Sequence, residues 1–469
     1  MMNKSKIGVI GMAVMGRSIA LNMADHGFKV SVYNRSKELT DEAIMEDETG
    51  NLKATYSLEE LIDTLEKPRN ILLMIKSGDP VDKIIAMLLP LLDKGDLIID
   101  GGNSYFKDTI RRAKELENKE IHFFGMGVSG GEEGARRGPA IMPGGDKAAY
   151  ERVKDVLEAI SAKASDGDPC CKYTSRDGAG HYVKMVHNGI EYADMQIIAE
   201  GYSIMKNVLK MSNEEMADTF ERYNLGPLDS YLIEITRDIL REKDHMGEGY
   251  LVDKILDTAK QKGTGKWTNL EAIDLGVNTS ILLAGLNSRI ISSQKDERKV
   301  ASKILSYEPS INNYNKEEVL KDIEDALLAS KIMSYAQGFT LLKEAAKVYN
   351  WDFDNKEIAS IFRAGCIIRS QLLYAIMDEF EKNNDLNNLM ISDNFSKILN
   401  ERTKGLRRVV KIAVEEGISV PALMESIGYF DGYRTERSAA NLVQGQRDYF
   451  GAHTYERIDV DGVFHNKWS

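Results

Sequence analysis

Four side chains that could move protons lie close together in the segment Lys184–Glu191. In a helix each residue advances about 100° around the axis, so Lys184, His187, Asn188 and Glu191 would share one stripe at spacings of three and four. The rest of the segment is apolar or small, which predicts a helix that is buried nearly all round. Burial can leave an amine neutral enough to act as a base and a carboxyl protonated enough to act as an acid. A satisfied internal Lys–Glu ion pair would give the same pattern, and this stretch alone does not choose between the two.

The composition is that of an ordinary globular protein. The chain has 469 residues, of which 43% are hydrophobic and 29% charged, and its length suggests about two to four domains. A formal net charge of -12 argues against nucleic acid or an anionic membrane as a partner, so an anionic ligand must meet a local cluster of lysine and arginine. The sequence has no apolar signal segment, and no run approaches the roughly 20 apolar residues of a membrane span. We therefore expect a cytoplasmic protein.

The cysteines do not suggest a metal site or a disulfide framework. Cys170, Cys171 and Cys366 are too few for such a framework and lack the spacing of zinc ligands. The simplest interpretation is that they are buried thiols in a reducing compartment, and no metal is predicted.

The N-terminal residues have the pattern of a strand, a turn, a helix and a second strand. Residues 6–10 are an apolar run, residues 18–26 have helical spacing, and residues 30–33 are a second apolar run. The first turn reads Gly-x-Ala-x-x-Gly, a variant of the dinucleotide-binding fingerprint. Its small residues let the backbone approach a pyrophosphate, and the helix N-terminus supplies N–H donors. The predicted cofactor-binding residues of this loop are Gly11, Met12, Ala13, Val14, Met15 and Gly16.

The residues after the second strand favour NADP over NAD as the cofactor. Proteins that bind NAD through this motif usually carry an acidic residue here for the ribose 2′-hydroxyl. This chain has Asn34, Arg35 and Ser36 instead. A guanidinium can pair with a 2′-phosphate and stack on adenine. A solvated surface arginine would look the same, but the position about 20 residues after the last glycine favours a cofactor contact.

Three more predicted strands end in turns that contain glycine. The strands cover residues 70–75, 96–100 and 122–127. Ligands bind at the carboxyl ends of strands in open α/β sheets, so these turns are candidates for contacts to a cofactor or a substrate. Asn103 offers a carboxamide there, and the amides that follow Ser129 could hold an anion. Such turns are often only turns, but three of them at successive strand ends favour a binding role.

Helical periodicity dominates from about residue 178 to residue 437, and this region contains an internal repeat. Ala199–Lys206 matches Ala336–Lys343 in residue character at an offset of 137 positions. At that offset Lys184 aligns with Lys321, whereas the other three residues of the stripe align with residues of a different type. We predict a duplicated helical unit whose second copy lacks the stripe. Chance similarity between amphipathic helices would give a comparable match over eight residues.

A basic loop between the two copies could bind a phosphate group. It contains Lys262 and Thr264, and Arg289 follows further along the chain. An ammonium, a hydroxyl and a guanidinium are the donors that a phosphate monoester requires. Each of them alone would more simply be a solvated surface residue.

The segment from Gln446 onward differs from the helical region before it. It is aromatic, is interrupted by glycine and aspartate, and suggests little helical character. Terminal segments usually fray, but one with so many aromatic residues is expected to dock onto another surface, such as a second subunit. The predicted fold is an α/β Rossmann-type N-terminal domain (1–177), a large all-α domain with a duplicated helical unit (178–437) and a C-terminal tail (438–469).

Five motifs spread over the whole chain resemble those of one enzyme family. They are Gly11–Gly16, Gly102–Ser104, Val128–Ala135, Lys184–Glu191 and Gln446–Tyr455. Together they resemble 6-phosphogluconate dehydrogenase, the decarboxylating NADP-dependent family. The resemblance implies oxidation and decarboxylation of 6-phospho-D-gluconate to D-ribulose 5-phosphate and CO2, with reduction of NADP to NADPH. It also implies a place in gluconate utilisation and the pentose phosphate pathway.

The resemblance implies roles for individual residues. Lys184 matches the family's base, and Glu191 matches its acid. The implied substrate contacts are Asn103, Ser129, Gly130, Gly131, His187, Asn188, Tyr192, Lys262, Arg289, Arg447 and His453. Besides the glycine loop, the implied cofactor contacts are Asn34, Arg35, Ser36, Ile75, Lys76, Ser77 and Asn103. In the family Arg447 and His453 reach the active site of the neighbouring subunit, which implies a homodimer with shared active sites.

Two other functions remain open from the sequence. Another β-hydroxyacid dehydrogenase, acting on a small acid without a phosphate, would not need the cluster of phosphate donors. A non-catalytic NADP-binding scaffold is compatible with the same fold. Such a scaffold would not need both Lys184 and Glu191. The interpretation as a 6-phosphogluconate dehydrogenase is therefore preferred to both alternatives.

Overall fold

The chain consists of a sheet-based N-terminal part, a helical part and a short tail. The computed structural model describes residues 4–261, 263–309 and 313–468. Within these residues no helix is both long enough and apolar enough to cross a membrane. The predicted fold class, an α/β Rossmann-type unit followed by a large all-α unit, is confirmed.

The N-terminal part is a seven-stranded sheet. The strands are β1 (Ile7–Ile10), β2 (Val30–Tyr33), β3 (Leu52–Thr55), β4 (Asn70–Leu73), β5 (Leu97–Asp100), β6 (His122–Ser129) and β7 (Ala140–Gly145). Their spatial order is β3-β2-β1-β4-β5-β6-β7, with all neighbours parallel except β7, which pairs antiparallel with β6. The strand order reverses between β1 and β4, the point at which such sheets bind dinucleotides.

Helices cover both faces of this sheet. They are α1 (Val14–Asp25), α2 (Lys37–Glu46), α3 (Leu58–Thr64), α4 (Asp79–Leu88), α5 (Phe106–Glu117), α6 (Gly131–Arg137), α7 (Lys147–Glu151) and α8 (Lys154–Ile160). Every residue of β1, β4 and β5 is buried. Strands buried on both faces appear in sequence as continuous apolar runs, which is why these three could be predicted.

Two strands of this sheet were not predicted from the sequence. In β3 only Leu52 and Thr55 are buried, so the strand has a weak pattern at one edge of the sheet. The other strand, β7, contains Pro143 and two glycines, which suggest a loop. Proline is tolerated there because β7 is the opposite edge strand. Gly144 is required at its position, since an added Cβ would lie 2.3 Å from the backbone nitrogen of Gly180.

The helical part consists of eleven α-helices in the described residues. They are α9 (Ala179–Asn207), α10 (Asn213–Asn224), α11 (Tyr231–Arg241), α12 (Thr264–Asp274), α13 (Ser280–Ser293), α14 (Lys295–Ile304), α15 (Lys316–Tyr349), α16 (Asn355–Ile361), α17 (Leu372–Lys382), α18 (Asp393–Glu415) and α19 (Pro421–Arg434). The long helices α9 and α15 pack against each other and contribute many of the buried residues of the largest apolar core.

The helix packing repeats, as the internal sequence repeat predicted. Helix α9 packs on α12 and α13, and α15 packs in the same way on α18 and α19. Two shorter helices follow each long one and pair with each other, α10 with α11 and α16 with α17. The first residues of the two long helices, Ala179 and Lys316, lie 137 positions apart, which is the offset of the sequence repeat.

The prediction of little helical character from Gln446 onward was wrong for residues 446–451 and is confirmed for residues 452–468. Helix α20 (Ala440–Gly451) includes Gln446, and a small antiparallel hairpin follows, β8 (Tyr455–Glu456) with β9 (Val463–Phe464). Asp448, which suggested a break, is fully buried. Its carboxylate accepts hydrogen bonds from the Thr454 amide at 2.9 Å and the Trp468 indole at 2.8 Å. A buried acceptor at the helix end therefore organises the hairpin around α20.

Candidate active site

The segment Lys184–Glu191 is helical, as predicted, and lies in the first half of α9. The helix crosses the sheet-based unit at β6 and β7 and is surrounded on other sides by α12, α13 and α15. Burial on so many sides explains why the segment has apolar residues around most of its circumference. The stripe is thus held between the carboxyl end of the sheet and the helical unit.

Lys184 lies against strand β6. A Cβ added to Gly127 would be 2.5 Å from the Lys184 Cβ, so only glycine allows this contact. The lysine is 6% exposed, and burial lowers its pKa, because the charged amine loses its hydration. The charge of Glu191 favours the ammonium but is the smaller effect. The amine is therefore easier to deprotonate than an ordinary lysine.

His187 is a neutral imidazole in this site. The residue is fully buried, and burial lowers its pKa well below the usual value, with the charge of Lys184 acting in the same direction. Its Nε2 lies 3.3 Å from the Ser129 Oγ, and its Nδ1 lies 3.1 Å from the Asn188 Oδ1. The Nδ1 is also 3.7 Å from an Oε2 of Glu191. The imidazole therefore connects the end of β6 with the carboxyl end of the stripe.

The predicted phosphate donors lie beside the same stripe. The Asn188 side-chain amide donates to the Thr264 Oγ1 at 2.8 Å, and Thr264 is the first residue of α12. The guanidinium of Arg289 stacks 3.4 Å from the centre of the Tyr192 ring. Arg289 also donates to the Lys260 carbonyl at 3.1 Å, in the loop before α12. Lys262, predicted with this group, lies outside the described residues.

Specific contacts fix the backbone conformation of the turns after β5 and β6. Asp100 at the end of β5 accepts hydrogen bonds from the Gly102 amide at 3.0 Å and from the Ser104 hydroxyl at 2.6 Å, which leaves Asn103 between them exposed. After β6, Gly130 has φ +127°, and an added Cβ would lie 2.6 Å from the Gly365 carbonyl oxygen. Gly131 has φ +64° and an exposed backbone.

The glycine loop after β1 has the close packing that a dinucleotide site needs. An added Cβ would lie 2.4 Å from the Met74 carbonyl oxygen at Gly11, and 1.8 Å from the Gly11 carbonyl oxygen at Gly16. The Met12 amide donates to the Asn34 Oδ1 at 3.1 Å, which joins the loop to the end of β2. Arg35 follows and is exposed to solvent. The loop, the helix N-terminus and an exposed guanidinium thus lie at the same end of the sheet.

The other predicted cofactor residues are also at the strand ends. Ile75, Lys76 and Ser77 follow β4, and the Ile75 Cγ2 would be 2.9 Å from a Cβ added to Gly11. Ser36 lies at the N-terminus of α2 and is exposed.

The structure does not bring the two predicted tail residues to the stripe of their own chain. Arg447 donates to the Gln444 side chain at 3.0 Å, and the His453 ring packs edge-on against Phe450. Both residues are exposed, and these contacts lie inside the tail. The predicted site residues of one chain are thus divided between a largely buried stripe and an exposed tail.

The family is decided by the match to known domains. Residues 6–174 match the NAD binding domain of 6-phosphogluconate dehydrogenase, and residues 180–468 match the 6-phosphogluconate dehydrogenase C-terminal domain. The chain belongs to the 6-phosphogluconate dehydrogenase family. The resemblance that the five motifs predicted is confirmed.

Relatives from bacteria and one solved structure match this chain along its length. It is 53% identical over 467 residues to the decarboxylating 6-phosphogluconate dehydrogenase of Escherichia coli, with 100% of both chains covered. It is 53% identical over 469 residues to the NADP(+)-dependent, decarboxylating enzyme of Bacillus subtilis, again with 100% of both covered. The Plasmodium falciparum 6-phosphogluconate dehydrogenase structure has a TM-score of 0.95 and 44% identity, covering 98% of this chain and 100% of that one. That protein is described in its apo form, with its cofactor NADP+ and with its substrate 6-phosphogluconate.

Three residues near the site were not singled out for it from the sequence. Asp100 shapes the turn that carries Asn103, and its position as the last residue of a buried strand before two glycines was the available signal. Phe362 packs edge-on against the His187 ring, with centroids 5.2 Å apart. Cys366, considered only as a buried thiol, lies near Lys184. Residues 362 and 366 are remote in sequence from the stripe, so no local pattern indicated them.

Proposed function

We propose that this protein converts 6-phospho-D-gluconate and NADP to D-ribulose 5-phosphate, CO2 and NADPH. The observation that carries the proposal is the largely buried stripe of α9, where a lysine of lowered pKa shares one helix face with a neutral imidazole and a carboxyl group. The stripe lies beside a dinucleotide-type sheet and beside donors for a phosphate group. The names of the full-length relatives support the same substrate and cofactor.

Lys184 is the general base of the first step. Because burial lowers its pKa, part of the population is neutral and can accept the proton of the substrate 3-hydroxyl. Hydride leaves C3 in the same step, and NADP, when bound, supplies the acceptor for it at the nicotinamide ring. The resulting 3-keto acid has its carbonyl β to the carboxylate. The bond between C1 and C2 therefore breaks readily, and C1 leaves as CO2.

Lys184 and Glu191 act together in the second half of the reaction. The Lys184 ammonium donates its proton to the C3 oxygen as negative charge develops there, which gives the neutral enediol. Glu191, acting in its protonated form, delivers a proton to the carbon that becomes C1 of the product, while Lys184 removes the enediol proton again. Transfer of one proton from the ammonium to the carboxylate restores the starting state.

The glycine loop and the residues after β2 fit NADP. The packing at Gly11 and Gly16 brings the backbone close to where a pyrophosphate would lie, at the N-terminus of α1. Arg35 is exposed at the end of β2, where a 2′-phosphate would lie, and no acidic side chain stands in its place. The cofactor contacts we propose are Gly11, Met12, Ala13, Val14, Met15, Gly16, Asn34, Arg35, Ser36, Ile75, Lys76, Ser77 and Asn103.

The substrate lies along the stripe, with its phosphate toward the start of α12. Thr264 and Arg289 are linked to the stripe through Asn188 and Tyr192, so one ligand can reach both the base and the phosphate donors. The substrate contacts we propose within one chain are Asn103, Ser129, Gly130, Gly131, His187, Asn188, Tyr192, Lys262, Thr264 and Arg289.

Arg447 and His453 complete the site of a second subunit in a homodimer. Their exposure on a tail whose contacts here are internal, together with the exposed side chains of Leu442, Tyr449 and Phe450, supports this assignment. Co-expression of Lys184→Ala and Arg447→Ala chains tests it. In mixed dimers one site carries both changes and the other carries neither, so activity should recover to about a quarter of wild type. Recovery no greater than the sum of the separate variants would contradict shared sites.

The organisation and location of the protein complete the proposal. We propose a cofactor-binding unit (1–177), a substrate and dimerisation unit (178–437) and a tail (438–469) in a cytoplasmic enzyme. The three cysteines are buried and unpaired, which suits a reducing compartment.

Variants of the two proton-transfer residues test the proposed chemistry. Lys184→Ala should abolish both oxidation and decarboxylation. Glu191→Gln should still oxidise the substrate but should lower the rate of ribulose 5-phosphate formation by about 10²–10⁴-fold, because the proton donor is lost. Lys206→Ala, at the end of the same helix and paired with Asp253, is the matched control and should keep wild-type turnover. Normal turnover in either stripe variant would remove that residue from the mechanism.

A further inference from the structure

The two long helices pack through contacts that repeat with pseudo-twofold symmetry. An added Cβ at Gly201 on α9 would lie 3.2 Å from Leu327 and 3.3 Å from Ile323 on α15. A glycine on one helix therefore receives two branched side chains of the other. Contacts of this small-against-large kind let two helix backbones approach closely.

The reverse contact is also present. An added Cβ at Gly338 on α15 would lie 2.5 Å from Ile190 and 3.5 Å from Val186 on α9. The repeat offset of 137 positions relates the two contacts residue by residue, pairing Val186 with Ile323, Ile190 with Leu327 and Gly201 with Gly338. Each copy thus presents the same surface to the other, as in an isologous interface.

A buried ion pair lies on the axis of this pseudosymmetry. Asp194 on α9 and Lys331 on α15 also differ by 137 positions, so they are equivalent residues of the two copies. Equivalent residues meet each other only at a twofold axis. The Asp194 Oδ2 and the Lys331 Nζ are 2.9 Å apart, and both side chains are 2% exposed. Apart from this ion pair, neither atom has a hydrogen-bond partner among the described residues.

We propose that the Asp194–Lys331 ion pair is a positioning device for the reaction, which fixes the register of α9 against α15 and thereby the placement of the catalytic stripe. The inference rests on the proposed function, because turnover is its readout. Neither residue is assigned a contact with substrate or cofactor, so both act through the helix that carries Lys184 and Glu191.

Opposite charges at the axis fix the register in a way that the apolar contacts do not. The aliphatic side chains around it, such as Ile323 and Leu327, attract without a preferred direction and tolerate small shifts, whereas two opposite charges favour one separation. A slip of one helical turn moves α9 by about 5.4 Å and would separate the two charges in a dry interior. Two aspartates or two lysines at the axis would repel each other, so the pair requires the two copies to differ at this position.

The register matters for the site because the same contacts flank the stripe. Ile190 and Val186, which pack on Gly338, are the sequence neighbours of Glu191 and His187. Asp194 lies three residues after Glu191, less than one turn away. A shift at the axis is therefore transmitted directly along one rigid helix to the acid and the imidazole.

Two double variants test the proposal. Asp194→Asn with Lys331→Met removes both charges while roughly keeping side-chain volume, and such replacements of buried pairs are often neutral for stability. We expect kcat to fall about tenfold or more with a smaller change in KM, because the base and the acid are displaced while the proposed contacts outside α9, such as Ser129, Thr264 and Arg289, remain. Asp194→Lys with Lys331→Asp exchanges the charges between equivalent positions and should return kcat to within about threefold of wild type.

A second buried ion pair supplies the control. Arg69→Met with Asp96→Asn removes a pair from the sheet-based unit, where the two groups are 2.7 Å apart, and should leave kcat unchanged whether or not Tm falls. The proposal is overturned if the uncharged axis variant keeps wild-type kcat, or if the control loses as much kcat as that variant. It is also overturned if the exchanged variant folds with wild-type Tm but stays as slow as the uncharged one. An inactive wild-type protein would instead refute the proposed function.

Discussion

Replacing Gly127 by alanine should displace Lys184, the proposed base, without changing any of its functional groups. The new Cβ would lie 2.5 Å from the Lys184 Cβ and 3.1 Å from the Gly180 carbonyl oxygen. Ordinary contacts begin at 3.4 Å, so β6 and α9 must separate by about 1 Å at this point. Overpacking of this size costs about 1–3 kcal/mol of stability, which a chain of this length can tolerate.

The larger effect of this change should be on the rate. A misplacement of about 1 Å can lower kcat on the order of 100-fold, because the base no longer meets the 3-hydroxyl in line. The assay is the steady-state rate at 340 nm, with Tm measured on the same sample. Gly428→Ala is the matched control, since its added Cβ would meet nothing within 4 Å on the exposed side of α19. A folded Gly127→Ala protein with wild-type kcat would refute the argument that this contact positions Lys184.

Three further changes test other parts of the account. Arg35→Ala should lower kcat/KM for NADP by about 10–100-fold, because one charge-assisted contact to the 2′-phosphate is lost, and should leave kcat/KM for NAD unchanged. Equal losses with both cofactors would contradict a contact between Arg35 and the 2′-phosphate. Asp100→Ala leaves the Gly102 amide and the Ser104 hydroxyl without their acceptor, so the turn that carries Asn103 should become disordered. KM for the substrate and KM for the cofactor should each rise about tenfold, and unchanged KM values would contradict this role of Asp100. Burial raises the pKa of Glu200 to about 7. Between pH 4.5 and 7 the folded state therefore keeps a proton that the unfolded state has released. The free energy of unfolding should fall on the order of 3 kcal/mol as the pH rises through this range. Denaturant titrations of wild type and Glu200→Gln check this, and an equal pH dependence in both would exclude Glu200 as its source.

The parts of the fold that were predictable are those with strong local patterns. Strands β1, β4 and β5 are buried at every position and appear as apolar runs, and the stripe of α9 follows directly from helical spacing. Strand β7 and helix α20 could not be predicted because their glycine, proline or aspartate residues suggest breaks. Tertiary contacts override that local preference, as the buried Asp448 shows.

The arrangement of the candidate site could be predicted where its residues are adjacent in sequence and could not where they are far apart. Lys184 to Glu191 lie within two turns, so their proximity follows from helix geometry. Phe362 contacts the His187 ring across a separation of 175 positions, and such a contact depends on the packing of the whole helical unit. The Asp194–Lys331 pair needed the repeat offset and the helix packing together.

The most direct test of the central claim is simultaneous measurement of NADPH at 340 nm and of released CO2, with purified protein and 6-phospho-D-gluconate. The same mixture is run with gluconate in place of the phosphorylated acid and with NAD in place of NADP. The account predicts one CO2 for each NADPH, no comparable rate with gluconate and a slower rate with NAD. Absorbance growth without CO2 would contradict decarboxylation at this site. No growth with any pair of ligands would contradict the enzyme assignment and favour a cofactor-binding scaffold.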